Sequence, residues 1–560
     1  MLFDKASALL LASSGLLQPS RHVISRLQTP IQPAKFDWKN ITAHESLVYH
    51  DCYGGFQCAR LQIALIRLPA PVPVTDSRYG GALVLNPGGP GGSGVEMVIS
   101  SGRAIQVQIN AGSKADNKTA KFFDVIGFDP RGVLCTSPTY HCFPNFIDKL
   151  NYGSALSAYG PPGSSDTAFT NLWTNARTQA DSCSKRAIQA GIGEHMSTTS
   201  VARDILEIFE RHGEWREQEA RKILSSSAPS QSDLPDHVRY QPGQEMVQYW
   251  GISYGTVLGA TLADMYPHRV QRMILDGVVD SFDYYQGTLT TMLQDTDLEL
   301  DKFAEYCWRG GPENCALHHA DGPNAIDQRF SAITQNLIRN PIGVPGTDDF
   351  PPDLATYSDL QDLLVLSSYL PLATFHNLAE IMAEVEAGNA TALVEGRRSM
   401  SSLLARGLSK KCRRDGPYSA ACNPRSMGEL DHMITVGIQC SDAQPQTNMT
   451  KEQYWNYLQD EMKESKMFGD VAAKTRLYCT QVNSSLYSPK VKCFCTTRAV
   501  RTYFQTGELP KEDTVCMPNR VPLDGYSEEM DPPLPEGETD EELWKAIVGV
   551  DYPIPVIPVL

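Results

Sequence analysis

The pentapeptide Gly251-Ile252-Ser253-Tyr254-Gly255 has the G-x-S-x-G pattern, which can present a reactive serine hydroxyl. An apolar run at 246–250 precedes it and a run with helical periodicity at 256–266 follows it. Small residues on both sides allow the strained backbone of a sharp strand-to-helix turn. This setting predicts that Ser253 is a nucleophile that attacks a carbonyl carbon. The alternative is an ordinary serine in a glycine-rich turn.

A second stretch, Asn-Pro-Gly-Gly-Pro-Gly-Gly-Ser-Gly at 86–94, directly follows the apolar run 81–85. A serine nucleophile needs backbone N–H groups that bind the oxygen on which negative charge develops. One such group belongs to the residue after the nucleophile, here Tyr254, and another to a glycine-rich loop after an early strand. The alternative, a phosphate-binding loop, is less favoured because no lysine follows in the Walker-A position and no G-x-G-x-x-G is present with its ribose-binding acid.

Composition and charge narrow the class of protein. The chain has 560 residues, of which 41% are hydrophobic and 20% charged, as in an ordinary soluble enzyme. This length allows one large core with a lid, or two to four domains. The net charge of −16 argues against a nucleic-acid partner, which needs a basic face. No apolar run reaches the roughly 18 residues of a membrane span, so no membrane partner is expected.

Cysteines and the N-terminus indicate export. Residues 1–18 contain Lys5 before an apolar stretch, as in a secretory signal, although Asp4 favours the alternative of a frayed first helix. Closely spaced cysteines suggest disulfides of an oxidising compartment; the pairs are Cys52 and Cys58, Cys135 and Cys142, Cys307 and Cys315, and Cys412 and Cys422, with Cys479, Cys493, Cys495 and Cys516 near the C-terminus. Zinc is the competing interpretation, but a single C-x-C is a poor zinc signal. Glycosylation sequons occur at Asn40, Asn117, Asn389, Asn448 and Asn483. We therefore expect a secreted, disulfide-bonded glycoprotein, with an intracellular protein as the alternative.

Strand-like and helix-like segments alternate through the first half of the chain. Strands are predicted at 59–68, 81–85, 122–128, 246–250 and 270–275, with a helix at 198–211. Residues 214–245 are polar and are predicted to form an exposed insertion. Helical periodicity dominates 281–440, with helices at 298–308, 360–370, 378–387 and 392–408, and residues 517–560 form an acidic, proline-rich tail. The pattern predicts an α/β fold with a mostly parallel sheet and an inserted helical lid.

Four segments resemble one family of enzymes. They are LVLNPGGPGGSG at 83–94, DVIGFDPRGVLCTSP at 124–138, VARD at 201–204 and the stretch 249–280 around Ser253. They are similar to the tripeptidyl-aminopeptidase-like branch of the prolyl-aminopeptidase serine peptidases, which are secreted α/β-hydrolases. The likeness covers 38–280, apart from 214–245, and is loose over the lid. It implies a peptidase that acts at free N-termini, with Ser253 as nucleophile and Tyr254 and Gly89 as oxyanion donors.

The acid and the histidine of a Ser-His-Asp triad do not follow in the expected places. No histidine occurs in residues 433–560, and those after the serine are His268, His318, His319, His376 and His432. His268 is expected on the surface, and the other four lie in or at the edge of the lid. Asp276 could be an acid in an unusual position, but a turn-forming Asp-Gly is the favoured interpretation.

The resemblance also locates the gap. Residues 441–516 look like a shortened C-terminal part of the hydrolase core, in which only 13 residues separate Cys479 from Cys493. A strand, an acid-bearing loop, a helix, a second strand and a histidine loop need about 30 residues or more. The block that carries the acid and the histidine therefore looks deleted.

Two functions remain after the sequence analysis. The first is a serine hydrolase, a monomer that acts on a small peptide, ester or amide through an acyl-enzyme on Ser253. The second is an α/β-hydrolase-fold protein that lacks the triad acid and histidine and acts as a binding protein or is a truncated gene product. Neither function implies a metal or an organic cofactor.

Overall fold

The computed structural model describes most of the chain. The described residues are 36–112, 119–144, 146–227, 234–348, 351–406, 432–443, 449–479, 494–509, 511 and 543. The predicted signal segment, the pair Cys412 and Cys422, the Cys479–Cys493 connection at 480–493 and the acidic tail apart from residue 543 lie outside them.

Seven strands form the central sheet, and two short strands pair elsewhere. The strands are β1 (His50–Cys52), β2 (Phe56–Arg60), β3 (Ala64–Leu68), β4 (Tyr79–Asn86), β5 (Phe122–Phe128), β6 (Val247–Ile252), β7 (Val270–Asp276), β8 (Ile342–Val344) and β9 (Asp353–Ala355). The order in the sheet is β1-β2-β3-β5-β4-β6-β7. The pairs β5-β4, β4-β6 and β6-β7 are parallel, and β1, β2 and β3 join them through antiparallel pairs.

Fifteen named α-helices lie in the described part of the chain. They are α1 (Gly94–Ile109), α2 (Phe146–Ser157), α3 (Asp166–Ala190), α4 (Thr198–Ser227), α5 (Tyr254–Met265), α6 (Ser281–Gln286), α7 (Thr296–Gly310), α8 (Pro323–Arg339), α9 (Tyr357–Tyr369), α10 (Pro371–Glu386), α11 (Thr391–Arg406), α12 (His432–Asp442), α13 (Lys451–Glu464), α14 (Gly469–Cys479) and α15 (Phe494–Thr506). None of them is both long and apolar enough to cross a membrane.

Alternation along the parallel strands produces two buried layers. In β4, Ala82 and Val84 face one layer, and Leu83 and Leu85 face the other, as expected for a strand with period two. The first layer contains residues of α3, α4, α5 and α12 to α14, and the second contains residues of α1 and α15. The result is a mixed sheet whose parallel part, β5-β4-β6-β7, is covered on both faces, in agreement with the predicted mostly parallel sheet.

The lid helices have a hydrophobic core of their own. It is formed by apolar residues of α7 to α11 and by Phe468. Three lid helices were predicted within a few residues of their bounds, and a fourth, α10, starts seven residues before its prediction. The helix α8 was not predicted, nor were α2 and α3 between β5 and α4.

Two local predictions were wrong. The apolar run 59–68 is not one strand, because residues 61–63 turn and separate β2 from β3. The helix predicted at 198–211 continues to Ser227, so the first half of the expected exposed insertion is helical. Within that segment Ala220 is fully buried, and Leu234 and Val238 pack beside it in a small core. The 214–245 region is therefore partly built into the fold.

The cysteine pairing is partly as expected. The disulfides Cys52–Cys58 and Cys307–Cys315 form, but Cys142 bonds to Cys183 and not to Cys135. Cys183 was not predicted as a partner because it lies 41 residues further along the chain, in helix α3. The two described sequons, Asn40 and Asn389, are exposed.

Candidate active site

Ser253 occupies the turn between β6 and α5. Its backbone has φ 58° and ψ −125°, in a region that side-chain-bearing residues rarely adopt. Its N–H donates to the carbonyl of Asp276 at 2.9 Å, and its own carbonyl accepts from Thr256 N–H at 2.8 Å. These bonds hold the strained serine where the strand ends and the helix begins. Asp276, considered above as an acid, thus supports the turn through its backbone.

Glycines permit this turn because its first arm contacts its second and the second contacts the end of β4. A β-carbon at Gly251 would lie 2.1 Å from the carbonyl oxygen of Gly255, and one at Gly255 would lie 2.8 Å from that of Asn86. Neither distance is compatible with a side chain. The spacing of glycines in the motif therefore has a steric cause, as the sequence analysis assumed.

The glycine-rich loop 86–94 lies against Ser253. Gly88, with φ +90°, approaches so closely that a β-carbon would lie 2.9 Å from Ser253 Cβ and 3.0 Å from the backbone nitrogen of Tyr254. Gly89 follows with φ +111°. The structure thus brings Ser253, Tyr254 and Gly89 into one neighbourhood, while the direction of the two oxyanion N–H groups stays a prediction.

Helix α12 covers this loop. Thr435 Oγ1 donates to the carbonyl of Pro90 at 2.6 Å, and the side chain of Ile434 lies beside Gly91. Ser253 is completely buried, and its Oγ has no hydrogen-bond partner among the residues that the structure describes. Ser253 is therefore closed to solvent in this structure, and α12 packs on the loop beside it.

A hydrogen bond joins Ser93, in the glycine-rich loop, to Asp129, which directly follows β5. Ser93 Oγ donates to the carboxylate of Asp129 at 2.5 Å, and the N–H of Cys135 donates to the same group at 2.9 Å. Burial raises the pKa of Asp129 to about 6, although these hydrogen bonds act in the opposite direction.

Arg131 and Asp204 form a bidentate ion pair, with both N–O distances 2.7 Å. The segment 124–138 and the segment 201–204, which carry the family resemblance, are therefore in contact.

The phenol of Tyr254 belongs to a buried polar network that sequence reasoning missed. The carboxylate of Asp442 on α12 accepts from Thr198 N–H at 2.7 Å, Thr198 Oγ1 at 2.6 Å and Tyr284 O–H at 2.9 Å. Because the Thr198 hydroxyl donates to Asp442, it accepts from the phenol of Tyr254, 2.5 Å away. Burial raises the pKa of Asp442 to about 6. The network connects Tyr254, the residue after Ser253, to helix α12.

No described histidine bonds to Ser253 Oγ. His268 is exposed behind α5, as expected. In the lid, His319 pairs with Asp321 at 3.6 Å, and His376 Nδ1 lies 3.0 Å from the carbonyl of Asn314. His318 follows the Cys307–Cys315 disulfide. His432 is the first residue of α12, two positions before Ile434. Among these histidines, His432 is the one that belongs to the helix in contact with the glycine-rich loop.

Sequence comparison finds a family similar to the part of the chain that contains the Ser253 turn and the glycine-rich loop. Residues 81–307 match the family described as alpha/beta hydrolase fold. The strand order, the helices on both faces and the strained serine after β6 agree with that match. This chain has the α/β-hydrolase fold.

Curated proteins similar to this chain include named peptidases. A tripeptidyl aminopeptidase of Streptomyces coelicolor is 28% identical over 276 residues, which cover 48% of this chain and 41% of the relative. The serine protease Hip1 of Mycobacterium tuberculosis is 28% identical over 218 residues, covering 39% and 32% of the two chains. Carboxylesterase B of the same organism is 35% identical over 161 residues, covering 28% and 26%.

The similarity is confined to part of each protein. The aligned segment spans less than half the length of these relatives. It supports the resemblance to the tripeptidyl-aminopeptidase-like branch of serine peptidases. Within the described residues no strand extends the sheet beyond β7, and the deletion predicted between Cys479 and Cys493 stays a prediction.

Proposed function

We propose that this protein is a serine hydrolase of the aminopeptidase-like type, which releases N-terminal residues or short peptides, or cleaves a related ester or amide. The observation that carries the proposal is the strained Ser253, set against the glycine-rich loop and the backbone nitrogen of Tyr254. A serine in this conformation is held at an energetic cost, which is typical of functional sites.

The reaction follows from this arrangement. Ser253 Oγ attacks the substrate carbonyl carbon, and the N–H groups of Tyr254 and Gly89 stabilise the oxyanion. Collapse of the tetrahedral intermediate breaks the bond to the leaving amine or alcohol and produces an acyl-enzyme, which water hydrolyses. A base must remove the hydroxyl proton and later return it to the leaving group.

The chemistry at Ser253 is testable with a fluorophosphonate. We expect a covalent phosphonyl adduct on the peptide that contains Ser253, located by mass spectrometry, and no adduct in Ser253→Ala. Because α12 covers the site, Thr435→Ala, which removes the bond to Pro90, should be labelled faster than wild type. A folded sample in which neither wild type nor Thr435→Ala is labelled would contradict the proposal.

A histidine scan identifies the base. We expect His432→Ala to lower the rate of acylation by several orders of magnitude, as loss of an essential base does. His318→Ala, His319→Ala and His376→Ala serve as matched controls, since none of these residues belongs to the helix that contacts the glycine-rich loop. Full activity in all four variants would exclude each of them as the base.

Export and domain arrangement are part of the proposal. The three disulfides and the exposed Asn40 and Asn389 support a secreted glycoprotein. We assign residues 38–280 and 441–516 to the hydrolase core and 281–440 to the lid, whose separate hydrophobic core supports the division.

A second candidate is a binding protein with an inactive hydrolase site. It is favoured by one observation, the absence of a hydrogen-bond partner for Ser253 Oγ within the described part of the chain. The two candidates differ in the labelling experiment, because a binding protein would remain unmodified at Ser253 in every variant.

A further inference from the structure

Two buried cysteines that belong to none of the three disulfides lie side by side where α12 contacts α14. Cys440 is on α12, and Cys479 is the last residue of α14. Their sulfur atoms are 3.4 Å apart. A disulfide bond has a sulfur–sulfur distance of about 2.05 Å, so a movement of roughly 1.4 Å brings the two atoms into bonding range. The thiols are therefore close enough for one covalent bond to join the two helices.

The surroundings of the two cysteines are apolar. Both side chains are buried in the first hydrophobic layer of the sheet, together with Val436 and Ile438 of α12 and Leu477 of α14. A hydrogen bond between two thiols is weak, because the S–H group is a poor donor and sulfur is a poor acceptor. A disulfide has no polar hydrogen that needs an acceptor, so this layer accommodates it at least as well as two thiols.

A metal site does not account for the pair. A structural zinc site has four ligands, so two more side chains would have to complete it. In the part of the chain that the structure describes, no group of three or more histidine, cysteine, aspartate or glutamate side chains is placed to hold a metal ion. Asp442, two residues after Cys440, is bonded to Thr198 and Tyr284. A bond between the two cysteines is therefore the favoured interpretation.

We propose that Cys440 and Cys479 form a disulfide, which fastens α12 to α14 and so keeps α12 in contact with the glycine-rich loop. The oxidant is a disulfide, either a small molecule or an oxidising thiol–disulfide protein. One cysteine thiolate attacks the oxidant and releases its first thiol, and the second cysteine thiolate attacks the resulting mixed disulfide and releases the other thiol. The oxidant thereby takes up the two electrons and the two protons that the cysteines lose.

Burial determines when this bond forms. It raises the pKa of the Cys479 thiol well above its ordinary value. Because the thiolate is the species that attacks a disulfide, the packed pair reacts slowly with an oxidant in solution. The bond therefore forms during folding, before α12 and α14 are fully packed. The same burial then protects the finished bond from reductants.

The bond restricts α12 through a closed loop. Cys440 and Cys479 are 39 residues apart, and the loop between them contains α13. Such a link limits the conformations of the unfolded chain and opposes local opening of the helices that it joins. In α12 the same helix carries Thr435, which bonds to Pro90 of the glycine-rich loop.

Peptide mapping tests the bond directly. Trypsin places Cys440, Cys479 and Cys493 in three separate peptides, 426–451, 477–490 and 493–498. The full chain is expressed in cells with an oxidising cytoplasm, blocked with N-ethylmaleimide in denaturant at acidic pH and digested. We expect mass spectrometry to find 426–451 linked to 477–490, and to find Cys135, the third described thiol, alkylated. Alkylated Cys440 and Cys479, or a link from 477–490 to 493–498, would overturn the proposal.

Hydrogen–deuterium exchange measures the effect of the bond on α12. Cys440→Ala and Cys479→Ala should each accelerate exchange of the α12 amides by about tenfold or more, because the helix then opens without α14. The double variant should exchange no faster than either single variant, since both single changes remove the same bond. Additive acceleration is the result of two independent packing defects and would contradict the bond.

The inference is independent of the proposed hydrolase activity. Ser253→Ala should contain the same linked peptides as wild type, because neither cysteine takes part in the reaction at Ser253. A missing fluorophosphonate adduct would count against the hydrolase alone, and thiols at Cys440 and Cys479 would count against the disulfide alone. Peptide mapping uses the wild-type chain, so it decides the proposal even if the alanine variants do not fold.

Discussion

Gly251→Ala is expected to destabilise the protein by about 3 kcal/mol or more and to abolish reaction at Ser253. The new β-carbon would lie 2.1 Å from the carbonyl oxygen of Gly255 and 2.5 Å from the ring of Tyr249. That carbonyl accepts the Tyr249 hydroxyl at 2.8 Å, so the first turn of α5 is fixed from a second side. The clash can be relieved only by moving the strand away from the helix, which displaces the serine between them.

Gly396→Ala is the matched control for this change. Gly396 lies in helix α11, and no heavy atom is within 4 Å of the position that a β-carbon would take. Alanine there should raise stability slightly, by up to about 1 kcal/mol, through helix propensity. Urea unfolding and fluorophosphonate labelling measure both effects. If Gly251→Ala kept the wild-type midpoint and labelling rate, the close crossing of β6 and α5 would be wrong.

The turn at Ser253 could be predicted from sequence because its motif and the apolar runs that flank it are contiguous in the chain. Gly251 is required by its contact with Gly255, four positions further on, whereas the contact of Gly255 with Asn86 could not be read from the motif. The loop 86–94 was predicted from its glycine-rich composition directly after an apolar run. Sequence reasoning is strongest where sterics act over a few residues.

The features that were predicted wrongly or missed have no local sequence signal. Residues 61–63 turn without glycine or proline, and Leu61 and Ile63 are buried, so the apolar run gave no sign of a break. The disulfide Cys142–Cys183 depends on how α3 packs, which spacing alone does not encode. Asp442 and Thr198 are 244 residues apart, and no local pattern could have paired them.

The covering helix joins these observations. One end of α12 contacts the glycine-rich loop through Ile434 and Thr435, and the other end holds Thr198 and Tyr284 through Asp442. The helix thereby connects the oxyanion loop to the network behind Tyr254. A substitution of Asp442 should therefore affect both the glycine-rich loop and the hydrogen-bond network behind Tyr254.

Asp442→Ala is expected to cost roughly 3 kcal/mol or more, because it leaves the Thr198 N–H and two buried hydroxyls without their acceptor. Asp442→Asn should cost much less, about 1 kcal/mol. Its amide oxygen can still accept from the Thr198 N–H, and its amide nitrogen can donate to the hydroxyls of Thr198 and Tyr284, which reverse direction. Urea unfolding of both variants measures the difference.

The protonation of Asp442 gives this comparison a pH dependence. Burial raises its pKa from 3.8 to about 6, so between these values the folded state binds more protons than the unfolded state. Its contribution to stability is therefore complete below pH 3.8 and is lost as the pH rises through about 6. Asparagine does not titrate, so the stability advantage of wild type over Asp442→Asn should shrink from pH 4.5 to pH 8. A difference that stays constant or grows over this range would show that the carboxylate is not buried in the network, and that Tyr254 is held in place by other contacts.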